Sequence, residues 1–289
     1  MNLTFDLTGK LAVVTGGGGV LCSGFSKTLA AAGAKVAVCD LRPDAAEKVA
    51  AEIRESGGCA AAFEMNVLDK SSVEAAALAI ASAFGADAPD ILLNGAGGNN
   101  PKGSTSRDVL TPEEVAELSE NGTIEGVKTF FDLDPEGISF VFNLNFLGTL
   151  IPTQVFAKNM SKKGGTIINV SSMNAFRPLT RIPAYSGAKA AVSNFTQWLA
   201  VHFAPVGIRC NAIAPGFFLT EQNRTLLKNP DGSLTPRSDK ILGHTPMGRF
   251  GVPADLDGTL LWLADEKFSA FVDGVVIPVD GGFAAYSGV

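Results

Sequence analysis

Leu11-Ala12-Val13-Val14-Thr15-Gly16-Gly17-Gly18-Gly19-Val20-Leu21-Cys22 joins an apolar strand-like run to four consecutive glycines and then to a helical stretch. In such a unit the glycines let the backbone approach a pyrophosphate, and the helix N-terminus attracts its charge. A glycine-rich turn also serves as a plain strand-to-helix connection, so its setting matters. Working outward, short β-branched runs at 11–15, 35–39, 60–63, 91–94, 166–170, 209–213 and 275–279 read as strands. Longer stretches at 45–55, 71–84, 138–160 and 184–203 read as helices, with Pro152 expected to kink or interrupt the third. Strands alternating with helices make an α/β fold, a doubly wound parallel sheet of about seven strands covered on both faces.

The 289 residues show no Pro/Ser-rich linker, so a single domain over 1–289 is expected, with an insertion at about 98–137 and a substrate lid at about 216–251. Hydrophobic residues make up 46% of the chain and mean hydropathy is +0.22. That is ample material for a core, yet no uninterrupted apolar run reads as a membrane span. The first ten residues lack the basic and apolar regions of a secretory signal, which points to the cytoplasm. Cys22, Cys39, Cys59 and Cys210 are scattered and read as buried thiols. With His202 and His244 the only histidines, no metal site is indicated. A net charge of −6 gives no footprint for nucleic acid.

The second strand ends beside Asp40, whose carboxylate suits the hydroxyls of an adenosine ribose and would repel a 2′-phosphate. NAD is thereby favoured, while Arg42 keeps NADP open. Farther on, Tyr185 and Lys189 are four residues apart, with Ser172 thirteen residues upstream of the tyrosine. On a helix that spacing stacks ammonium and phenol on one face. A free tyrosine titrates near about pH 10 and a neighbouring cation favours its ionised form, so Tyr185 could exchange a proton with an alcohol or ketone oxygen.

Together these motifs resemble the short-chain dehydrogenase/reductase family, with its Rossmann-type fold, over essentially the whole chain. The likeness rests on the turn from Thr15, on Asn94-Gly95-Ala96-Gly97, Asn145, Ser172, Tyr185 and Lys189, and on Pro215-Gly216 followed by Thr220. The turn departs from the usual Thr-Gly-x-x-x-Gly-x-Gly, carrying Val20 and Cys22 in place of glycines, and Asn66 stands where an aspartate is common. The resemblance implies that Gly16, Gly18, Gly19, Val20, Leu21, Asp40, Leu41, Asn66, Val67, Asn94 to Gly97, Pro215, Gly216, Phe218 and Thr220 bind the cofactor. It further implies that Tyr185 is the general acid in ketone reduction and the base in alcohol oxidation. Lys189 would lower the phenol's pKa and hold the nicotinamide ribose, Ser172 would bond the substrate oxygen, and Asn145 would anchor a proton-relaying water. A homotetramer is likewise implied.

The segment up to Gly137 is about twenty-five residues longer than such chains usually carry, and long irregular segments are usually functional. Asn99, Asn100, Lys102, Asn174 and Arg177, with Phe217 and Asn223 of the second segment, are expected to meet the substrate. Amides suit hydroxyls and a cation suits a carboxylate, so a small-molecule sugar acid satisfies both. Lys102 or Arg177 would hold the carboxylate. The runs Asn99-Asn100-Pro101-Lys102 and Ser172-Met173-Asn174-Ala175-Phe176-Arg177-Pro178 are similar to the branch containing fructuronate reductases, also termed D-mannonate oxidoreductases. Related gluconate or deoxygluconate chemistry, an oxoacyl or steroid substrate, and a non-catalytic nucleotide sensor stay open as alternatives.

Overall fold

The computed structural model describes residues 4–219 and 227–288. Its centre is one all-parallel seven-stranded sheet in the order β3-β2-β1-β4-β5-β6-β7. The strands are β1 (Leu11–Thr15), β2 (Lys35–Asp40), β3 (Cys59–Glu64), β4 (Ile91–Asn94), β5 (Gly165–Val170), β6 (Ile208–Pro215) and β7 (Val276–Val279). Every residue of β1 is buried, as a strand covered on both faces must be. Successive side chains alternate between faces. Ala12 and Val14 accordingly join one core with Val36, Val38, Ile91 and Leu93, whereas Leu11 and Val13 join the other with Ala37 and Leu92. Full burial of each such aliphatic side chain contributes about 1.5–3 kcal/mol.

Helices α1 (Val20–Ala31) and α2 (Pro43–Glu55) cover the first face through Phe25, Leu29, Val49 and Ile53. The second face is covered by α3 (Lys70–Phe84), α6 (Gly148–Met160) and α7 (Pro183–Phe203), through Ile80, Phe156, Met160 and Leu199. Between α3 and α6 come α4 (Pro112–Asn121) and α5 (Pro135–Phe142). The 98–137 segment is therefore partly regular. Thr111 caps α4 in a reciprocal bond with Glu114, and Pro112 sits at its first position. In the 216–251 segment, Thr235 caps a helix at Pro236–Gly243.

Pro152 lies inside α6 without ending it. The irregularity falls one turn earlier, where Asn143–Leu147 forms a π turn that joins α5 to α6. Through that turn Pro135–Met160 is continuous, and by length and apolarity alone it would suffice to cross a membrane. The sequence expectation that no stretch qualifies is thus corrected. Val141, Phe156, Ala157 and Met160 are buried against the protein's own sheet and helices. Cys22, Cys39 and Cys210 are buried as expected, but Cys59, at the start of β3, is exposed.

Candidate active site

Strand order reverses between β1 and β4, and a crevice at such a switch point is where doubly wound sheets bind ligands. There a cleft of about 680 Å³ opens at the C-terminal ends of the strands. Gly16 has φ +66° and a Cβ on it would come within 2.8 Å of Ala96 Cα, so the two turns touch backbone to backbone. Thr15 Oγ1 joins them as well, accepting from Gly95 N at 3.1 Å. Asp40 braces the glycine turn: its Oδ2 accepts from Gly18 N at 3.0 Å and its Oδ1 from Arg42 N at 3.0 Å. The N-terminus of α1 carries no side-chain cap, leaving backbone donors at the cleft.

The two departures from the glycine pattern have a steric explanation. Val20 opens α1 with an exposed side chain. Cys22 is buried, and a Cβ on Gly95 would fall 2.1 Å from its Sγ. The missing glycine on the helix is compensated by a glycine on the facing turn. Burial pushes the Cys22 thiol up to about 12, so it is an inert packing group.

Gly16, Gly19, Val20 and Leu21 line the cleft from the first turn, and Asp40 and Leu41 from the second. Asn66 and Val67, then Gly95, Ala96 and Gly97, line it from the third and fourth. Gly216 and Phe218 close the far end, while Pro215 ends β6 in a buried position. Gly18 stands behind Asp40. Asn94 does not face the cleft: its Nδ2 donates to Thr153 Oγ1 and Asn169 Oδ1, each at 2.9 Å, so its amide ties β4 to β5 and α6. Thr220 and Asn223 lie outside the described residues.

The four residues expected to act chemically converge. Ser172 follows β5, caps the short turn Met173–Ala175 and lies close enough to the Tyr185 phenol to favour its ionised form. Tyr185 and Lys189 follow one helical turn apart on α7, Lys189 Nζ standing 5.7 Å from the ring centroid. The ammonium donates to Val170 O at 2.7 Å. Asn145 lies in the π turn, an irregularity that frequently marks functional sites. Its Nδ2 donates to Gly98 O and to Val141 O, each at 2.8 Å, and its Oδ1 accepts from Gly98 N at 3.3 Å. A Cβ on Gly97 would lie 2.6 Å from Asn145 Oδ1 and 3.2 Å from Lys189 Nζ. Gly97 is thus the narrow partition against which both polar groups rest.

The expected lowering of the phenol's pKa by Lys189 is not what this arrangement gives. Burial pushes Tyr185 above its ordinary value, with the Ser172 bond a smaller opposing effect. Burial likewise brings Lys189 down to about 8. Desolvation penalises whichever form is charged, and it is the largest cause at both groups.

Beyond Tyr185, a chamber of about 230 Å³ continues from the cleft, with Tyr185, Gly216 and Phe217 lining both spaces. Ser172 and Asn174 form its polar wall. Asn174 is 4% exposed and its Oδ1 has no hydrogen-bond partner. The remaining expected substrate residues are engaged elsewhere. Asn100 Oδ1 accepts from Lys102 N at 2.9 Å and Asn99 Nδ2 donates to Ser104 Oγ at 3.0 Å. Lys102 pairs with Asp134 at 3.3 Å, and Arg177 opens onto an outer cavity of about 490 Å³. None of these four lines the chamber. Sequence reasoning missed Arg237, which does; the only signal was Thr235-Pro236, a helix start just before it.

Comparison with known proteins agrees with this geometry. Residues 10–128 match the short chain dehydrogenase family model, and residues 118–284 match the model described as enoyl-(acyl carrier protein) reductase. An uncharacterised oxidoreductase of Haemophilus influenzae is 58% identical, covering 98% of this chain and 96% of the relative. The 2-dehydro-3-deoxy-D-gluconate 5-dehydrogenase of Dickeya dadantii is 34% identical, with 98% of each chain covered. A Haemophilus crystal structure with bound NAD, provisionally assigned as a D-mannonate oxidoreductase, superposes with a TM-score of 0.91 at 57% identity over 98% of each chain.

Proposed function

Since the chain belongs to the short-chain dehydrogenase family and is an oxidoreductase, we propose that it interconverts a ketone and a secondary alcohol on a sugar acid with NAD. D-fructuronate and D-mannonate are the favoured pair. The observation that carries the substrate class is the chamber's polar lining: Ser172, Asn174, Tyr185 and Arg237 converge on one small space beside the cleft. Hydroxyl and amide groups there suit substrate hydroxyls, and the guanidinium suits a carboxylate. The provisional name of the NAD-bound Haemophilus structure supports the same pair.

A dinucleotide fits the cleft because α1 begins there with uncapped backbone donors beside the glycine turn. Gly16 to Leu21 would hold the pyrophosphate, Asp40 the adenosine ribose, Asn66 and Val67 the adenine, and Gly216 and Phe218 the nicotinamide side. Asp40, bearing charge at the ribose, favours NAD over NADP. When bound, the cofactor supplies or accepts the hydride.

The chain's own residues handle the proton and the orientation. Ser172 holds the substrate oxygen next to Tyr185, which donates its proton during reduction and takes one during oxidation. Lys189, anchored on Val170 O, keeps a cation beside the phenol and would hold the nicotinamide ribose. Asn145 fixes the loop carrying Gly97 and Gly98, where it would anchor a water that relays protons through Lys189. The same reading includes a homotetramer, supported by the partly exposed apolar edge strand β7.

Steady-state NADH oxidation with D-fructuronate, keto-gluconates, a 5-keto-3-deoxy acid and a neutral ketose tests the proposal. D-fructuronate should give the highest kcat/KM. Turnover confined to neutral or lipidic ketones would refute it.

A further inference from the structure

We infer that Arg237, rather than Lys102 or Arg177, holds the substrate carboxylate and determines the preference for acids. This deepens the sugar-acid reading above and rests on it. Among the described residues lining the 230 Å³ chamber, Arg237 is the one charged side chain. Asn174 and Ser172 line the same space with polar side chains. The chamber is smaller than the range of about 300–1,000 Å³ common for drug-sized ligands, and so suits a compact polar molecule.

The neighbouring cations are otherwise engaged. Lys102 pairs with Asp134, while Arg181 and Lys240 both pair with Asp108, at 2.6 and 2.7 Å. Arg177 lines only the outer cavity. Arg237 lines both spaces and has no ion-pair partner among the described residues. Its backbone is held on several sides. Thr235 Oγ1 accepts from Ser238 N at 3.3 Å, Ser238 Oγ donates to Leu227 O, and Lys240 is tied to Asp108. The planar guanidinium can thus meet a carboxylate through two parallel hydrogen bonds while Asn174 and Ser172 take oxygens farther along the chain.

The test compares the full-length protein with Arg237→Gln, Arg237→Lys and Lys102→Gln on the best acid from the substrate panel and on the matching neutral ketose. Arg237→Gln should lower kcat/KM for the acid at least about tenfold, mainly through KM, and change the neutral substrate by less than about threefold. Arg237→Lys should recover part of the loss, and Lys102→Gln should behave as wild type. Thermal midpoints and NADH fluorescence titrations separate a folding or cofactor defect from a substrate defect. Equal losses on acid and neutral substrates, or no loss on the acid, would overturn the role of Arg237 and leave the sugar-acid reading standing. A wild-type protein with no preference for acids would overturn both.

Discussion

Asp108, in the long segment after β4, accepts a hydrogen bond from Lys240 Nζ at 2.7 Å, across 132 residues of sequence. Its other oxygen accepts from Arg181 Nε at 2.6 Å, so one carboxylate ties this segment to the loop entering α7 and to the helix Pro236–Gly243. All three elements wall the outer cavity. The inserted segment therefore frames the approach to Tyr185 rather than merely covering surface.

Asp108→Asn should loosen that frame. Exposed ion pairs each contribute about 0.2–1 kcal/mol, so the thermal midpoint should fall by only about 2–4 °C. Substrate KM should rise while NADH affinity stays constant. Lys240 and Arg181 hold the Asp108 carboxyl well below the usual carboxylate range. A depressed folded pKa gives stability that is present above the unfolded value, near about 3.9, and is lost only as pH falls through the folded one. The difference between variant and wild type should therefore be the same at pH 5 and pH 8. A difference that vanishes by pH 5 would show that the carboxylate is not so held.

Gly97 and Gly98 make a matched pair of substitutions. A Cβ at Gly97 would meet Asn145 Oδ1 at 2.6 Å, whereas at Gly98 the nearest atom is Leu144 Cδ2 at 3.6 Å. Overpacking costs about 1–3 kcal/mol, and a misplacement of about 1 Å near the chemistry can cost about a hundredfold in rate. Gly97→Ala should lose about two orders of magnitude in kcat with a lowered midpoint. Gly98→Ala should remain within a few-fold of wild type. Comparable kinetics for the two variants would mean that the partition between Asn145 and Lys189 is unimportant.

How much of this is legible in the sequence depends on what each residue touches. Strands such as Leu11–Thr15 and Ile91–Asn94 are wholly buried, and their composition announces it. Tyr185, Lys189 and Ser172 were legible because one helix and one adjoining strand end bring them together. Helix α4 was not, for it buries no residue and its apolar stripe is only Val115 and Leu118; its Thr111-Pro112-Glu113-Glu114 start is the clearer mark. Asn94 was misassigned because the side chain's direction at a strand end is set by Thr153 and Asn169, 59 and 75 residues away. Arg237 was invisible for the same reason: its neighbours Ser172 and Asn174 come from another part of the chain. The phenol's upward shift depends on burial, which a four-residue spacing cannot report.

Lys189 links the site to stability. Its folded pKa of about 8 lies below the ordinary lysine value. Between about pH 8 and about pH 10.4 the unfolded chain binds more protons than the folded one, so folded stability rises with pH across that window. Below it the cost of a buried ammonium is fully present. Replacing that ammonium by a methionine side chain removes the cost. Without cofactor, Lys189→Met should therefore be most favoured relative to wild type near neutrality, and its advantage should shrink between pH 8 and 10. Thermal midpoints across that range check it; a difference independent of pH would show that Lys189 titrates normally.

Tyr185→Phe separates chemistry from nucleotide binding. The phenol hydroxyl lies beside Ser172, and the ring stands at the junction of cleft and chamber. The substitution removes one oxygen and leaves the ring, so cofactor affinity should be retained. Removal of a general acid or base costs about 10²–10⁴-fold, and kcat in both directions should fall by that order. In the wild type, the raised phenol pKa means that oxidation gains from rising pH throughout the alkaline range, because the fraction of phenolate is still increasing there. Tyr185→Phe should flatten that rise in whatever activity remains. A variant with undiminished kcat would remove Tyr185 from the chemistry and leave the chain a nucleotide-binding protein whose proton donor lies elsewhere.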